Sequence, residues 1–135
     1  MKLEDAVQIA GAGMRVQSAR VQIASQNLAN SDSLATTPGG EPYRRRTVSF
    51  REALDRDSGL RLVGIDRYGV DRDAFEKRHD PSHPAADAAG YVQLPNVEPL
   101  VELMDMREAQ RSYEANLQAM SLTRTMVSQT LNLLK

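Results

Sequence analysis

Both ends of the chain carry apolar residues at the alternating three- and four-residue spacing of a helical stripe. Near the N-terminus the stripe runs through Leu3, Val7, Ala10, Met14, Gln17, Val21, Ala24 and Leu28. Near the C-terminus it runs through Leu103, Met106, Gln110, Tyr113, Leu117, Met120, Arg124, Val127, Leu131 and Leu134. Sustained spacing of this kind keeps one face of a helix directed at a partner helix. These stripes, here called the heptad seams, predict two long helices that form an α-helical coiled coil.

The first helix is predicted over Leu3 to Asn30, and Asn30 is a suitable end because Asn tolerates the left-handed conformation beyond a helix. A second apolar row repeats every seven residues beside the main seam, at Ile9, Val16 and Ile23. A helix that is apolar on more than one side is expected to touch several neighbours. We therefore expect other subunits to bury this second row.

The last helix is predicted to begin with Asn96 as its N-cap and Val97 as its first residue. Pro99 then falls in the first turn, where its missing N–H is tolerated. Glu98 and Glu102 lie where the helix dipole favours anions. The pattern continues for about 36 residues, or roughly 54 Å. A helix of that length needs a long partner.

The segment between the helices is rich in turn-forming residues and predicts a small β-rich insert. Tyr43–Phe50 is the best strand candidate because it combines β-branched and aromatic residues. Leu60–Ile65 and Arg67–Phe75 are two further candidates, and Gly90–Pro95 is a short extended piece. The predicted fold class is mainly α with a small β-rich middle. The predicted division is an N-terminal core helix over 1–30, a β- and loop-rich segment over 31–96 and a C-terminal core helix over 97–135.

The energetics of the seams predict a chain that is completed by neighbours. Burying a large apolar side chain contributes about 1.5–3 kcal/mol, whereas ordering each backbone residue costs about 1–2 kcal/mol. A two-helix hairpin alone is therefore marginal, and we expect poorly ordered ends in the free monomer. Gly11 and Gly13 inside the first helix have two interpretations of equal weight. They could make the start of the helix weak or bent, or they could allow another helix to approach closely.

Composition excludes several functional classes. The chain has 17 Lys and Arg against 18 Asp and Glu, so its net charge does not favour nucleic acid or anionic lipid. The run Arg44–Arg46 is the one local basic excess and is expected to be a solvated or partner-facing loop. Cysteine is absent, so thiol chemistry is excluded. The sequence contains no run of about 18 apolar residues, which is the length that would predict insertion into a membrane. Its N-terminal residues also lack the pattern of a cleaved secretory signal.

Candidate catalytic and metal-binding residues are few. His79 and His83 are four residues apart, but Pro81 and Pro84 exclude the helix that would place them on one face. With Asp80 and Asp87 they could form a metal site, although a plain turn is the favoured interpretation. Phosphate-binding glycine loops and nucleophile elbows are also missing. We expect no catalytic residue, no metal, no cofactor and no small-molecule substrate.

Several segments resemble one protein family. The stretch 24–31 resembles the Asn-x-x-Asn signature that ends the N-terminal helix of bacterial flagellar rod and hook proteins, and 42–45 resembles the segment after their glycine turn. The most specific stretch covers 80–92 and continues through 95–97, and 104–116 resembles the family's final helix. The matching positions are Asn27, Asn30, Tyr43, Pro81, Pro84, Gly90, Tyr91, Pro95, Asn96, Ala115 and Asn116.

The resemblance is to the flagellar rod and hook axial proteins, and the 80–97 stretch narrows it to the proximal rod members. It implies a structural subunit of the rod, the periplasmic drive shaft that transmits torque from motor to hook. It also implies contacts with copies of itself and other rod proteins, and export without a cleaved signal by the flagellar type III apparatus. The expected assembly positions are Leu3, Val7, Met14, Val21, Leu28, Leu103, Met106, Tyr113, Leu117, Met120, Val127, Leu131 and Leu134.

The sequence leaves two alternative functions to be tested, an adaptor or chaperone and an enzyme. A soluble coiled-coil adaptor or secretion chaperone would keep its seams closed as a stable dimer. An enzyme would have to use His79 and His83.

Overall fold

A computed structural model of the chain describes residues 2–133. Within this part, the elements are α1 (Leu3–Ala29), β1 (Arg46–Leu54), β2 (Arg61–Val70), β3 (Lys77–His79), β4 (Tyr91–Gln93) and α2 (Pro99–Leu133). Strands β1 and β2 form one antiparallel sheet in the described residues, and β3 and β4 form another. The predicted fold class, mainly helical with a small β-rich insert, is confirmed. No helix within residues 2–133 combines the length and hydropathy needed to cross a lipid bilayer.

The helices α1 and α2 pack antiparallel through small residues. Ala12 and Ala19 of α1 and Ala109 of α2 are buried. A methyl group on Gly13 would lie 2.8 Å from Nδ2 of Asn116, whereas one on Gly11 would lie 3.6 Å from the Met120 side chain. Small side chains allow this close approach, so the second interpretation of Gly13 holds.

The face of α1 that packs inside the chain includes the second apolar row, contrary to the sequence prediction. Val16 and Ile23 are buried within the chain, and Ile9 alone of that row is exposed. The larger side chains of the main seam lie to one side, where Met14 and Val21 are only half-buried, although the seam residues Ala10 and Ala24 are buried. The reason is that α2 and the β1–β2 sheet both contact α1 and together cover the face between them.

The predicted start of the last helix was wrong by two residues. α2 begins at Pro99, and the N–H of Glu102 donates to the carbonyl of Glu98 at 3.1 Å. A residue that precedes proline avoids the helical region, so the helix starts at the proline itself. Asn96 does not cap α2, because its side chain bonds to the middle segment instead. At the other end, Leu134 lies outside the described residues.

The end of α1 agrees with the sequence, with one difference in conformation. Asn30 follows the last helical residue, as expected, but its φ is −107°, which is not left-handed. Its side-chain Nδ2 donates to the Gln26 carbonyl at 2.8 Å, and its Oδ1 accepts from the Ser33 hydroxyl at 3.0 Å. Hydrogen bonds to the side chain therefore end this helix without a left-handed residue.

The second and third strand candidates form one strand. β2 runs continuously from Arg61 to Val70 and pairs with β1, with a bulge where the register shifts between Ser49 and Phe50. The bulge takes up the extra residue Asp66, so one ladder accommodates both segments. Residues 71–75 are a loop, so the prediction of a third strand there was wrong.

The β3–β4 hairpin was predicted only at its second strand. Tyr91–Gln93 lies within the extended piece expected over Gly90–Pro95, whereas Lys77–His79 was not foreseen as a strand. Gly90 has a φ of +83°, and a methyl group there would lie 3.0 Å from Cγ of Pro81. Glycine is therefore required where the loop returns to β4.

Candidate functional site

A polar junction lies where the end of α1, the start of β1 and the start of α2 meet. We define the polar junction by Asn27, Tyr43, Arg45, Arg46 and Glu102. Asn27 is 0% exposed and Glu102 is 1% exposed. Buried amides and carboxylates are stable only when their hydrogen bonds are made. The contacts of these two side chains therefore decide how the three elements are joined.

Asn27 connects all three elements. Its Oδ1 accepts hydrogen bonds from the Tyr43 hydroxyl and from the Arg46 backbone N–H, both at 2.8 Å. Its Nδ2 donates to the Arg46 carbonyl at 2.9 Å and to Oε2 of Glu102 at 3.2 Å. Four bonds saturate an asparagine amide, so this side chain fixes the position of β1 against both helices.

Glu102 is a buried carboxylate that is paired with a partly exposed arginine. Its Oε1 pairs with Nε of Arg45, and Nη1 of Arg45 also lies 3.7 Å from Oδ2 of Asp71. Removing one partner of such a pair leaves an uncompensated buried charge, which is strongly destabilising. The position of Glu102 in the sequence predicts an interaction with the helix dipole, but its main partner in the structure is Arg45.

The Tyr43 hydroxyl is a hydrogen-bond donor in this network. Burial raises the pKa of Tyr43, and the nearby Glu102 carboxylate raises it further, while Arg46 and Arg45 act in the opposite direction. Because the pKa is raised from a value of about 10, the phenol keeps its proton near neutral pH. It can therefore donate to Asn27 throughout the physiological range.

Asn96 forms a second layer beside the junction. Its Oδ1 accepts from the Arg45 backbone N–H at 2.7 Å, and its Nδ2 donates to the carbonyls of Asp71 and Asp73 at 3.2 and 3.3 Å. The chain after β2 is thereby tied to the segment before α2. This family-motif residue acts as a connector within the chain.

Arg44 and Arg45 of the basic run are used inside the chain, so they do not lie in the solvated loop that the sequence predicted, whereas the Arg46 side chain is exposed. The alternative of a partner-facing loop stays a prediction. Arg44 donates to the carbonyls of Asp71 and Asp73 at 3.1 and 3.2 Å, and its guanidinium lies 4.1 Å from the centre of the Phe75 ring. The sequence pattern did not predict that Arg45 and Glu102 are partners. Two features of the sequence could have indicated this pair. One is a glutamate among the apolar residues of an early helical turn, and the other is a basic run near a predicted strand.

The family-motif positions lie in three separate places. Asn27, Tyr43 and Asn96 meet at or beside the junction, and Asn116 packs against α1 with its Nδ2 bonded to the Ser112 carbonyl at 3.0 Å. Those of the β3–β4 region are Pro81, Pro84, Gly90, Tyr91 and Pro95, of which Pro95 is buried. Ala115 is exposed on α2, and Asn30 ends α1.

The two histidines have structural contacts in the β3–β4 loop. The His79 ring lies edge-on to Tyr91 with centroids 5.0 Å apart. Nδ1 of His83 accepts from the Ala85 N–H at 3.0 Å. Within residues 2–133, no group of three or more His, Asp or Glu side chains is arranged to hold a metal ion.

The helices expose many large apolar side chains. On α2 these side chains occupy two stripes on either side of the face that contacts α1. One stripe belongs to the heptad seam and contains Tyr113, Leu117 and Leu131. The other, here called the outer stripe, contains Val101, Met104, Leu122, Met126 and Leu133.

The seam sides of α1 and α2 also line open grooves. One groove of about 400 Å³ is bordered by Ser18, Val21 and Tyr113, among others. An adjoining groove of about 450 Å³ includes Met14 together with the same serine and tyrosine. The predicted seam positions Met14, Val21 and Tyr113 therefore share one concave surface.

Among the other predicted assembly positions, Leu3 is exposed, whereas Val7, Leu28, Leu103, Met106, Met120 and Val127 are half-buried.

Comparisons with known proteins agree with this architecture. A family model described as flagellar basal body rod FlgEFG protein C-terminal matches residues 88–133. The flagellar basal-body rod protein FlgC of Agrobacterium fabrum is 51% identical over 133 residues, which covers 98% of this chain and 96% of that protein. FlgC of Salmonella typhimurium is 38% identical over 135 residues, covering 98% of each chain. FlgC of Aquifex aeolicus is 36% identical over 130 residues, covering 96% of each. The chain therefore belongs to the FlgC family of flagellar basal-body rod proteins.

Proposed function

We propose that the chain is a structural subunit of the proximal flagellar rod and assembles through its two long helices. The observation that carries this proposal is the exposed apolar surface of α2, where Leu117 is 49% and Leu131 is 57% exposed. Extended apolar surface on a soluble chain is typical of an interaction site. Copies of the same chain and other rod proteins are the proposed partners.

The groove along the heptad seam supports one such contact. Met14, Val21 and Tyr113 border it, and none of them is fully buried. An apolar helix from a neighbouring subunit would bury these side chains and release water. The seam is the surface that we propose for the first neighbour.

The outer stripe supports a contact with a second neighbour. It lies on a different side of α2 from the seam, and it ends in Leu133, which is 87% exposed. Two different surfaces that each meet a different patch on a neighbour give a heterologous contact, which continues into a helical filament unless the rotation closes it. A shaft that transmits torque from motor to hook needs this continuity.

The domain organisation follows from this proposal. Residues 1–30 and 97–135 would form the core of the shaft, and residues 31–96 would decorate its outside. The periplasm is the proposed location, and the flagellar type III apparatus is the proposed export route, without a cleaved signal. Two Phe and no Trp give the chain few large aromatic core contacts, which suits passage through a narrow channel as an unfolded chain.

An adaptor or secretion chaperone is not favoured, because the relatives are named as rod proteins. We also propose no catalytic role. The histidines considered for one, His79 and His83, have the loop contacts described above.

Substitution of the exposed leucines tests the proposal. Leu117→Asp and Leu131→Asp each place a charge within the apolar contact, so rods should not assemble and swimming in soft agar should be lost. Gln118→Asp, an exposed polar position on the same helix, is the control and should swim normally. Circular dichroism of the purified variants should show unchanged helix content. Normal motility of both leucine variants would refute the proposed contact.

A further inference from the structure

We propose that the polar junction is a folding gate: the Glu102 carboxylate keeps α1 and α2 apart until the segment 43–46 has docked between them. The gate is a property of the single chain and is distinct from assembly into the rod. It makes pairing of the two helices conditional on docking of the middle segment.

The segment 43–46 supplies most of the partners in the junction. Tyr43 and Arg46 provide both donors to Oδ1 of Asn27, and Arg45 provides the cation for Oε1 of Glu102. Without this segment, the one hydrogen bond left within the junction is that from Nδ2 of Asn27 to Oε2 of Glu102, at 3.2 Å. A single amide donor does not neutralise a carboxylate.

Within residues 2–133, no other cation that lines the surrounding cavity is free to take the place of Arg45. Arg20 lines the same cavity of about 280 Å³, but it is paired with Asp105. Arg46 belongs to the segment itself and reaches the junction only when that segment docks, where its side chain is directed to Oε1 of Gln26, at 3.4 Å. Closing the helices before the segment docks would therefore bury a charged Glu102 without a counter-ion, which costs several kcal/mol.

The fully buried part of the helix interface outside the junction is only weakly apolar. Its buried residues are largely small, as at Ala12, Ala19 and Ala109, beside Val16 and Ile23. An alanine buries far less apolar area than a leucine, and burial energy scales with that area. Helix pairing by α1 and α2 alone is thus opposed at the junction and only weakly favoured elsewhere.

The gate orders two events in folding. Once the segment 43–46 has docked, the same carboxylate that opposed helix pairing is paired with Arg45. The heptad seams of α1 and α2 then border one groove, as described above. A chain with an undocked middle segment would not present that composite surface.

A double-mutant cycle on the full-length isolated chain tests the gate. The variants are Arg45→Met, Glu102→Met and the double variant R45M/E102M. The measurement is amide hydrogen exchange over residues 16–29 of α1 and 103–113 of α2. Arg51→Met is the control, because Arg51 lies on β1, which Arg45 directly precedes, but pairs with Asp66 at the exposed surface.

The gate predicts a non-additive result. R45M should exchange on the order of 100-fold faster in both helical segments, because it leaves the buried carboxylate unpaired. E102M should keep its protection within about tenfold, and the double variant should recover most of what R45M loses. The R51M control should match the unsubstituted chain.

Two results would overturn the gate. One is an R45M chain whose helices remain as protected as those of the unsubstituted chain. The other is a double variant that exchanges as fast as R45M, since Arg45 would then matter only for its own packing. Neither result would bear on rod assembly, which the leucine substitutions test separately.

Discussion

Asn27 shows how one side chain can organise a small chain with a thin apolar core. Its amide makes four hydrogen bonds to α2 and to the segment entering β1, while remaining fully buried. In residues 2–133, no buried side-chain nitrogen or oxygen lacks a hydrogen-bond partner. A network this complete is specific, because losing one member leaves the others unsatisfied.

Replacing Asn27 by alanine should therefore destabilise the chain markedly. The Tyr43 hydroxyl and the Arg46 N–H would lose their acceptor, and we expect a loss of roughly 2–4 kcal/mol in the free energy of unfolding. Urea titration followed by circular dichroism measures it. Gln22→Ala, at an exposed position on the same helix, should change stability by less than about 0.5 kcal/mol. Equal effects of the two substitutions would contradict the role assigned to Asn27.

Asp87 organises the β3–β4 loop and makes its stability depend on pH. Its Oδ1 accepts from the N–H groups of Ala89 and Tyr91, both at 2.9 Å. The hydrogen bond from Tyr91 is the main cause that lowers the pKa of Asp87, against a smaller desolvation effect. A lowered folded-state pKa stabilises the chain above the unfolded-state pKa, and this stabilisation is lost as the pH falls through the folded-state pKa.

Comparing Asp87→Asn with the unsubstituted chain tests this pH dependence. At pH 7 the variant should be less stable, because the charge-assisted bonds are weakened. Below about pH 4 the difference should shrink as the native carboxylate gains its proton. Urea midpoints measured from pH 7 down to pH 3 give the profile. A difference that stayed constant over this range would show that the charge of Asp87 contributes nothing.

At the scale of elements, the pairing of α1 with α2 depends on how closely the backbones approach. Gly11 and Gly13 lie one helical half-turn apart, yet their surroundings differ. A methyl group on Gly11 meets only ordinary van der Waals contact, whereas one on Gly13 meets three atoms of the Asn116 amide within 3.1 Å. The two glycines therefore have different functions despite their similar positions in the sequence.

Alanine substitutions at the two glycines should have opposite effects. Gly11→Ala should stabilise the chain by about 0.5–1 kcal/mol, because alanine is the better helix former. Gly13→Ala should lose that gain and destabilise the chain, since Asn116 must move away. In the double variant G13A/N116A the clash is gone, so stability should rise above that of G13A. Chemical denaturation of the three variants checks the order, and a stabilising G13A would show that Asn116 yields freely.

The whole molecule is a long helix pair anchored at one end. The polar junction and the sheets lie near the end of α1 and the start of α2, whereas the opposite end of the pair has no such network among the described residues. α2 has 35 residues against 27 in α1, so its last turns have less of α1 to pack on. Leu122, Met126 and Leu131 are all at least half exposed there.

The free end of α2 should therefore be the part that assembly orders. In the isolated chain, amides of residues 122–133 should exchange much faster than those of residues 19–27 near the junction. In purified basal bodies they should become protected, because neighbouring subunits would bury the apolar side chains. Hydrogen exchange read by mass spectrometry compares the two states. Equal protection of this segment in both states would contradict completion by neighbours.

Periodicity alone predicted the two helices, their approximate bounds and the fold class. These features were predictable because their signals are local in the sequence. The three- and four-residue spacing marks each helix, the asparagine after α1 marks its end, and the proline marks the start of α2. The β-branched segment that became β1 was found for the same reason. Loop composition also placed the turns, although it did not reveal β3, whose three residues have a short pairing partner fourteen positions away.

Tertiary structure alone decided which helical faces meet. The seams contain the larger apolar side chains, but the inner contact uses Val16, Ile23 and alanines, because small residues permit closer backbones. The polar junction could not be predicted from the sequence pattern either, because its hydrogen bond between Asn27 and Glu102 joins residues 75 positions apart. Periodicity shows that one side of a helix is apolar, but it does not identify the element that packs against that side. Long-range pairing of charges and amides depends on the folded path of the chain, which no local pattern encodes.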